Sequence, residues 1–427
     1  MGRDLTQRYA SFFETHRLTH AASLMRDIYA TGKLRELSSF VVWELLHRLH
    51  LFPKDSYLRF TDAAPLVLTS QRIFRDSGWD DLITQTFGKL GLHIRACEYN
   101  WKLLWLRQDG KLFGCQYPQD SVLYETDETG SIVSHHSFSA PIKAIFVSSH
   151  DSVFVCVKGA VYRRPPNAAS FDKVLALGSP ESFFRHNNAM TETPDGNLLI
   201  GEYGNVWNGD AWKKLAFTYS SCDDGANWTV SDFLIRQGTN KHVHVVKYSA
   251  VLNRLLMADG DNYKKLWISD VVNGHGCPDT RWSPVNRFHI QMGGYTSIVE
   301  CDGVVLCGTD YQGGTNFLVA SADGKNFTKR IVPDPYRRSP VDNMVLRRSR
   351  TGTEIWANLP FSTSESRCLL MFSRDGGESW SRVLEYDRNT HVAWLISSCS
   401  DVTHDLYISV ENTKSKDRAV YKIGDRG

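Results

Sequence analysis

The feature that most constrains the fold of this 427-residue chain is a repeated pair of apolar strands separated by a polar turn. The first copy reads LLWLRQDGKLFGC, and further copies begin near residues 143, 190, 245, 298, 344 and 394. The mean step is about 48 residues, which leaves room for two more strands in each unit. A period near 50 with four antiparallel strands is typical of a β-propeller blade. The repeat therefore predicts an all-β, seven-bladed β-propeller, or six blades if the first or last hairpin is only an extension.

The front end of the chain follows a different pattern. Apolar side chains recur at helical spacing between residues 33 and 50, a stretch without Pro or Gly. Residues 4–30 and 80–90 are also compatible with helices. We expect an N-terminal helical extension over residues 1–92, followed by the propeller over residues 93–427.

Composition and charge exclude several classes of protein. The 49 basic residues nearly balance the 47 acidic ones, so no general field attracts nucleic acid or a membrane surface. No apolar run approaches the roughly 20 residues of a membrane span, and the first residues lack the apolar core of a secretory signal. The nine cysteines form no Cys-x-x-Cys pair and no disulfide framework. We therefore expect reduced thiols and a cytoplasmic protein with neither a nucleic-acid nor a membrane partner.

A second signature marks three of the predicted blades. The pattern S-x-D-x-G-x-x-W occupies residues 221–228 and 373–380, and a form shorter by one residue occupies residues 321–327. In such a turn the Asp accepts backbone N–H bonds, the Gly adopts a positive φ and the aromatic ring packs beneath. The pattern resembles the Asp-box, or BNR repeat, of sialidase-like β-propellers, over about residues 100–427. The resemblance implies that these turns are structural and lie away from the active face.

Polar side chains concentrate in the loops that open on one face of the predicted propeller. Loops that enter the innermost strands, and loops that follow their hairpin partners, meet on that face, where ligand sites gather. Amide, imidazole, guanidinium, carboxylate and phenol groups occur there and suit a sugar or uronate ligand. They belong to Arg185, His186, Asn187, Asn188, Glu202, Tyr203, Arg236, His242, His244, Asp259, Asp261, His289, Tyr295, Asp310, Tyr311 and Arg338.

His242 and His244 form the sharpest motif on this face. On a strand, residues i and i+2 point to the same side, so both imidazoles are expected to face one ligand. With a third ligand from a neighbouring blade, such as His186 or His289, they could bind a divalent metal, for which Zn²⁺, Mn²⁺ and Ca²⁺ are candidates. They could equally act on a substrate directly, or line a hydrogen-bonded channel.

The pattern Gln237-x(4)-His242-x-His244 resembles a motif of polysaccharide lyases, a class that includes seven-bladed propellers. Together with Gly260-Asp261 after the next strand, the His-x-His motif also resembles a stretch of glycosyl-hydrolase-like proteins. The resemblance to lyases implies β-elimination on a uronate, in which one group neutralises the carboxylate and another exchanges protons. A sialidase proper is disfavoured, because residues 184–187 read FRHN where that family has Arg-Ile-Pro. The candidate catalytic residues are His186, His244, Tyr203, Tyr295 and Tyr311. The candidate saccharide-binding residues are Arg185, Asn187, Asn188, Glu202, Arg236, Asp261, Asp310 and Arg338.

Two further functions stay open. An inverting glycoside hydrolase would use two carboxylates about 6.5–9.5 Å apart, and Glu202, Asp259, Asp261 and Asp310 are candidates. Alternatively, the same face binds a glycan or a protein without catalysis. In either enzymatic case the expected partner is a saccharide.

Overall fold

The fold is known from a computed structural model of the chain. The part that the structure describes comprises residues 17–30, 34–69, 78–209, 211–239, 241–260, 265–269, 281–285, 294–311, 314–361 and 367–425.

The N-terminal region contains helices and two short strands. Its elements are α1 (Arg17–Ala30), α2 (Leu34–Arg48), a 3₁₀ helix (Lys54–Ser56), β1 (Arg59–Phe60), β2 (Leu66–Leu68) and α3 (Trp79–Lys89). Helices α2 and α3 lie within two residues of the predicted positions. The predicted helix over residues 4–30 is observed from residue 17, and its earlier part lies outside the described residues. The two strands were not predicted, because each is only two or three residues long.

The remaining strands form seven sheets within the described residues. After β3 (Leu92–Ala96), the first blade comprises β4 (Trp101–Leu106), β5 (Leu112–Gln116), β6 (Val122–Thr126) and β7 (Ile132–Ser137). The second blade comprises β8 (Ile142–Val147), β9 (Val153–Val157), β10 (Ala160–Arg164) and β11 (Asp172–Ala176). The third blade comprises β12 (Met190–Glu192), β13 (Leu198–Gly201), β14 (Thr218–Ser221) and β15 (Thr229–Ser231). After the short helix α4 (Phe233–Arg236), the next two comprise β16 (Val243–Ser249), β17 (Arg254–Asp259), β18 (Leu266–Ser269) and β19 (Trp282–Pro284); and β20 (Tyr295–Cys301), β21 (Val304–Thr309), β22 (Phe317–Ser321) and β23 (Thr328–Ile331). The last two comprise β24 (Asn343–Ser349), β25 (Gly352–Leu359), β26 (Cys368–Ser373) and β27 (Ser379–Tyr386); and β28 (His391–Leu395), β30 (Leu406–Asn412) and β31 (Arg418–Asp425), with β29 (Ser397–Cys399) following β28.

The ring is closed by strand exchange between its two ends. Strand β3 pairs antiparallel with β31 and becomes the outermost strand of the seventh blade. Strand β29 pairs parallel with β4, so the end of the seventh inner strand is joined to the first blade. Each of the seven predicted hairpins supplies the two inner strands of one blade. The prediction of a seven-bladed β-propeller is confirmed.

The N-terminal region is joined to the propeller at its outer edge. Strands β1 and β2 pair parallel with β27, which extends the sheet of the sixth blade. On α2, Glu44 forms ion pairs with Arg337 and Arg338, and Trp43 packs edge-on against Phe317 at 5.0 Å between ring centroids. Although burial opposes ionisation, the ion pair with Arg337 lowers the pKa of Glu44. This extension thus shares a sheet with the sixth blade. The domain boundary between residues 92 and 93 stays a proposal.

Apolar side chains from adjacent blades pack together and form the core. Strand β9, for example, is buried along its whole length, because neighbouring blades cover both faces of its sheet. Val155 of β9 and Ile200 of β13 belong to one buried cluster. A blade cannot bury its two faces alone, so stacking around the axis is what makes the repeat stable.

The three S-x-D turns share one hydrogen-bond pattern. In the first, Gly225 N donates to Ser221 Oγ at 2.9 Å and Asn227 N donates to Asp223 Oδ1 at 2.9 Å. Trp228 Nε1 donates to Gly225 O at 3.0 Å, and Gly225 has a φ of 82°. The turns at residues 321–327 and 373–380 repeat the serine and aspartate contacts. Each links the third and fourth strands of its blade, at the face where the inner strands end. The predicted turn chemistry is confirmed.

The cysteines only partly match the sequence prediction. Seven are free thiols, at positions 97, 115, 156, 301, 307, 368 and 399. Cys222 is disulfide-bonded, so the prediction of reduced thiols throughout is wrong at this position. Spacing alone did not reveal the bond, because the fold rather than the sequence distance decides which thiols meet. Among the described helices, none has the length and apolar character needed to cross a membrane.

Gly159 should be one of the least replaceable glycines. It has a φ of 70°, and a Cβ atom there would lie 2.1 Å from Ser179 O and 2.6 Å from Pro180 Cα. We expect Gly159→Ala to lower the free energy of unfolding by about 2–4 kcal/mol, because backbone must move. Gly130→Ala is the matched control, since its φ is 88° but nothing lies within 4 Å. Gly130→Ala should lower the free energy of unfolding by about 1 kcal/mol. Equal midpoints in urea for the two variants would contradict the expectation.

Candidate functional site

Five side chains gather on the face at which the inner strands begin, which we call the entry face. This group, the imidazole cluster, consists of Arg185, Tyr203, His242, His244 and Asp310. The Tyr203 ring lies 4.0 Å from the His242 ring and 5.9 Å from the His244 ring, between centroids. The Arg185 guanidinium lies 5.8 Å from the centre of the Tyr203 ring. The cluster joins loops and strands of the third, fourth and fifth blades.

The two imidazoles are joined by a hydrogen bond that restricts their tautomers. His242 Nδ1 lies 2.8 Å from Gly204 O, and His242 Nε2 lies 3.0 Å from His244 Nε2. Because a carbonyl oxygen only accepts, His242 Nδ1 carries a hydrogen. When both rings are neutral, His244 Nε2 must then donate to His242 Nε2. That tautomer places the lone pair of His244 on Nδ1, which lies 4.0 Å from Asp310 Oδ2.

Backbone packing fixes this arrangement from behind. His242, directly before β16, is fully buried, and His244, the second residue of β16, is almost so. A Cβ atom on Gly260 would lie 2.3 Å from His242 Cδ2 and 3.0 Å from His244 Nε2. The absence of a side chain at this position is therefore what allows the two rings to pack against the hairpin exit. The i, i+2 prediction that both imidazoles face the same way is consistent with their direct contact.

Contacts between the third and sixth blades cross the axis beside the cluster. Arg185 Nη2 donates to Asp342 Oδ1 at 2.9 Å, and Asn188 Nδ2 donates to Asn343 Oδ1 at 3.3 Å. Two blades separate these partners on one side of the ring and three on the other, so both contacts span the axial channel. Sequence reasoning missed Asp342. Its position directly before a predicted inner strand, next to Asn343, was the available signal.

His186 forms hydrogen bonds with the main chain of the first and second blades. Its Nε2 donates to Leu104 O at 2.9 Å, and its Nδ1 accepts from Ile145 N at 3.2 Å. The neutral ring satisfies both contacts, and burial lowers the pKa of His186 to about 4. His186 therefore links the first and second blades through main-chain hydrogen bonds. Proton transfer by this residue stays a prediction.

Because the fold binds His186 as a neutral ring, we expect the protein to lose stability in acid. Its pKa is about 4 in the folded protein and about 6.5 in an unfolded chain, so protonation favours unfolding. Its contribution is present above pH 6.5 and is lost as the pH falls towards 4. We expect the free energy of unfolding to drop by about 2 kcal/mol over that range from this residue. His186→Gln keeps one donor and one acceptor and should lack this component in urea titrations at several pH values. The same change in the free energy of unfolding between pH 6.5 and pH 4 in both proteins would contradict this expectation.

Two candidate carboxylates are buried inside blades. Glu202 Oε2 accepts from Tyr219 Oη at 2.6 Å and from Gly178 N at 3.1 Å. Asp259 accepts from Trp267 Nε1 at 3.0 Å. Burial raises the pKa of Glu202, and it raises the pKa of Asp259 to about 6. Both side chains are fully buried, so they serve the packing of their blades and do not face a saccharide.

The other predicted residues lie in several places. Tyr295 is fully buried in an apolar cluster, and Arg236 is exposed on α4, where it pairs with Asp232. Arg338 forms the ion pair with Glu44 described above. Tyr311 lies partly buried beside Asp310, where its main chain is bound by Asn316, while Asn187 lines the axial channel. Asp261 and His289 lie outside the described residues.

A metal site is not assembled by the described residues, among which no group of three or more His, Cys, Asp or Glu side chains is placed to hold an ion. His242 Nε2 and His244 Nε2 instead bond to each other. A metal at either atom would replace that hydrogen bond and would need a further ligand.

Comparisons with known proteins assign the chain to no family. No protein-family model matches the sequence, and no curated protein matches it. Among solved structures, it is similar to a chain of the mitotic checkpoint complex, with 11% identity and a TM-score of 0.47, covering 78% of this chain and 93% of that one. It is similar to YCF48 bound to D1 peptide, with 12% identity and a TM-score of 0.46, covering 79% and 97%. It is also similar to a luciferin-regenerating enzyme, with 10% identity and a TM-score of 0.41, covering 79% and 96%. Scores below 0.5 carry no argument about activity, so the propeller assignment depends on the strand pairing of this chain.

Proposed function

We propose that this protein is a glycan-active enzyme that cleaves a uronate-containing saccharide by β-elimination at the imidazole cluster. The observation that carries the proposal is the convergence of Arg185, Tyr203, His242 and His244 on the entry face, with ring-to-ring distances of 4.0 to 5.9 Å. A cation, a phenol and a linked imidazole pair are the groups that this reaction needs.

Each group has a role that balances the reaction. Arg185 would leave Asp342 and neutralise the uronate carboxylate, which acidifies the proton on C5. His244 would take that proton at Nδ1, while its Nε2 keeps its own hydrogen and continues to donate it to His242 Nε2. Tyr203 would give a proton to the leaving oxygen as the C4–O bond breaks and a C4=C5 double bond forms. No water is added in this step.

The decisive test is mass spectrometry of saccharide fragments after incubation with the purified protein. The substrates would be a panel of uronate-containing oligosaccharides and matched neutral ones. We expect fragments from the uronate substrates that are lighter by one water than hydrolysis products, with ultraviolet absorbance from the new double bond. Fragments that contain the added water would overturn elimination in favour of a hydrolase. An unchanged panel would overturn an enzyme of this class.

A divalent metal remains part of the proposal. Zn²⁺, Mn²⁺ or Ca²⁺ could engage His242 and His244 only by replacing their mutual hydrogen bond. Elemental analysis of the protein as purified, with activity before and after chelator treatment, separates the two arrangements. A stoichiometric metal and loss of activity on chelation would assign the imidazoles to metal binding rather than to proton transfer.

A specific observation supports a second function, that of a non-catalytic propeller that binds glycan or protein. The Arg185–Asp342 and Asn188–Asn343 contacts join the third and sixth blades across the axis, so Arg185 is already paired within the fold instead of standing ready for a substrate carboxylate. The hydrolase alternative is weaker, because Glu202 and Asp259 are buried and, among the candidate carboxylates that the structure describes, Asp310 alone lies in the cluster. A binding propeller would retain a saccharide in equilibrium dialysis and release no fragment.

Gly260 offers a test of cluster geometry without removing any functional group. Gly260→Ala places a methyl group 2.3 Å from His242 Cδ2, so the ring must move and its bond to His244 must break. We expect kcat to fall at least about tenfold, because small displacements of positioned groups have large effects on rate. Gly88→Ala on α3 is the control, since nothing lies within 4 Å of its Cβ position. Full activity of Gly260→Ala in a stably folded protein would contradict the assignment.

A further inference from the structure

A cavity of about 500 Å³ opens along the axis on the opposite face, where the inner strands end. We call it the exit cavity and define it by Trp105, Phe146, Asn187, Lys247, Glu300 and Cys399, which all line it. The volume is within the range of small-molecule sites. Because the imidazole cluster uses none of these residues, the two sites can be tested separately.

Lys247 is the basic group of this cavity. It lies near the end of β16, and its amine interacts electrostatically with Glu300 and Cys399. Burial lowers the pKa of Lys247. No carboxylate among the described residues lies within 4.0 Å of its amine. The cation is thus held near an acid without being paired to it, which leaves space for a bridging group.

Two acceptors of the cavity lack hydrogen bonds. Glu300 Oε2 accepts from Ala250 N at 2.9 Å and from Val251 N at 3.3 Å. Glu300 Oε1 and Asn187 Oδ1, by contrast, are buried with no partner among the described residues. An unsatisfied buried acceptor is unfavourable by about 1–3 kcal/mol, so a ligand that donates hydrogen bonds would be stabilised here.

The balance of charges selects between ligand classes. Besides Lys247, the cavity is lined by three carboxylates, of Glu192, Glu300 and Asp401. Glu192 is occupied, since Ser149 N donates to it at 2.7 Å and Ser149 Oγ at 2.5 Å. One lysine among three carboxylates does not favour a simple anion, and a simple amine would leave Lys247 unpaired. A ligand that carries both an ammonium and a carboxylate group complements both the Glu300 carboxylate and the Lys247 amine.

The apolar part of the lining accommodates the rest of such a ligand. The buried rings of Trp105 and Phe146 pack in a tilted arrangement, 4.8 Å apart between centroids, and Val345 and Leu346 come from the sixth blade. We propose that the exit cavity binds a free α-amino acid with an apolar or aromatic side chain. Its carboxylate pairs with Lys247, its ammonium donates to Glu300 Oε1 and Asn187 Oδ1, and its side chain packs in the apolar part.

The test compares one amino acid with its two halves. L-phenylalanine, 3-phenylpropanoate and phenethylamine would each be added to the full chain, followed by L-leucine, 4-methylpentanoate and isopentylamine. Thermal unfolding and isothermal titration calorimetry report binding. We expect at least one amino acid to raise the Tm and to bind at least about tenfold more tightly than either of its halves, as two charge-assisted hydrogen bonds predict. Equal affinity for a half, or no binding by either series, would overturn the proposal.

Variants locate the ligand. Lys247→Met should weaken amino-acid binding at least about tenfold while leaving the amine unaffected. Glu300→Gln should weaken binding of the amino acid and the amine but not of the acid. Lys173→Met, at an exposed position on β11, is the matched control and should change nothing. Unchanged affinity in both cavity variants would place the ligand elsewhere and overturn the assignment.

Discussion

Replacing His244 by alanine should reduce kcat for uronate cleavage by about 10²–10⁴, the range for loss of a general base. The imidazole is almost fully buried and bonded to His242, so its removal deletes the proton acceptor without changing an exposed surface. Saccharide binding should survive, because Arg185 and Tyr203 remain. Turnover measured by double-bond absorbance, with equilibrium dialysis of the oligosaccharide, gives both quantities.

The control is His93→Ala, which removes an exposed histidine on β3 at the outer edge of the seventh blade. It should retain the activity of the unmodified protein. If His244→Ala kept full turnover, the base would lie elsewhere. If it lost saccharide binding and turnover to the same degree, His244 would bind substrate instead of transferring a proton.

Replacing Arg347 by methionine should lower the free energy of unfolding by about 3–5 kcal/mol. Arg347 and Glu354 face each other across β24 and β25, with Nε 2.8 Å from Oε2, and both side chains are completely buried. Arg347 Nη2 also lies 3.0 Å from Asp425 Oδ1 in the seventh blade. The variant would leave the Glu354 carboxylate buried beside only Arg374 and Trp356 Nε1. Urea unfolding followed by tryptophan fluorescence measures the loss.

Two controls separate burial from charge. Arg330→Met breaks an ion pair with Glu378, whose side chain is 66% exposed, and should cost at most about 1 kcal/mol. The double variant Arg347→Met with Glu354→Gln should recover part of the loss, because the fully buried side chain at position 354 then carries no charge. A loss for Arg347→Met no greater than that for Arg330→Met would contradict the buried-pair explanation.

Local features of the fold could be predicted because their causes lie within a few residues. The hairpins follow from apolar runs separated by turns, and their regular step gives the blade count. The S-x-D turns are likewise self-contained, since Ser373, Asp375 and Gly377 bond to one another over four residues. The i, i+2 spacing of His242 and His244 was enough to place two imidazoles side by side.

The site beyond that pair depends on distances that the sequence does not encode. Arg185 meets Asp342 across 157 positions, and the burial of Glu202 and Asp259 depends on which blade faces they lie on. The exit cavity was missed for the same reason, since Lys247 and Glu300 read as ordinary charged residues near strand ends.

The sequence by itself therefore determined the all-β class, the seven repeats, their turns and the local histidine motif, because short-range periodicity and turn chemistry specify them. The tertiary structure alone decided which polar groups are used up in packing and which face a ligand. Ring closure brings distant loops to one axis. The burial it produces engages His186 and Glu202 in hydrogen bonds within the fold, while Arg185 and His244 both lie beside the Tyr203 ring. Burial and long-range contact are properties of the closed ring, and no single blade contains them.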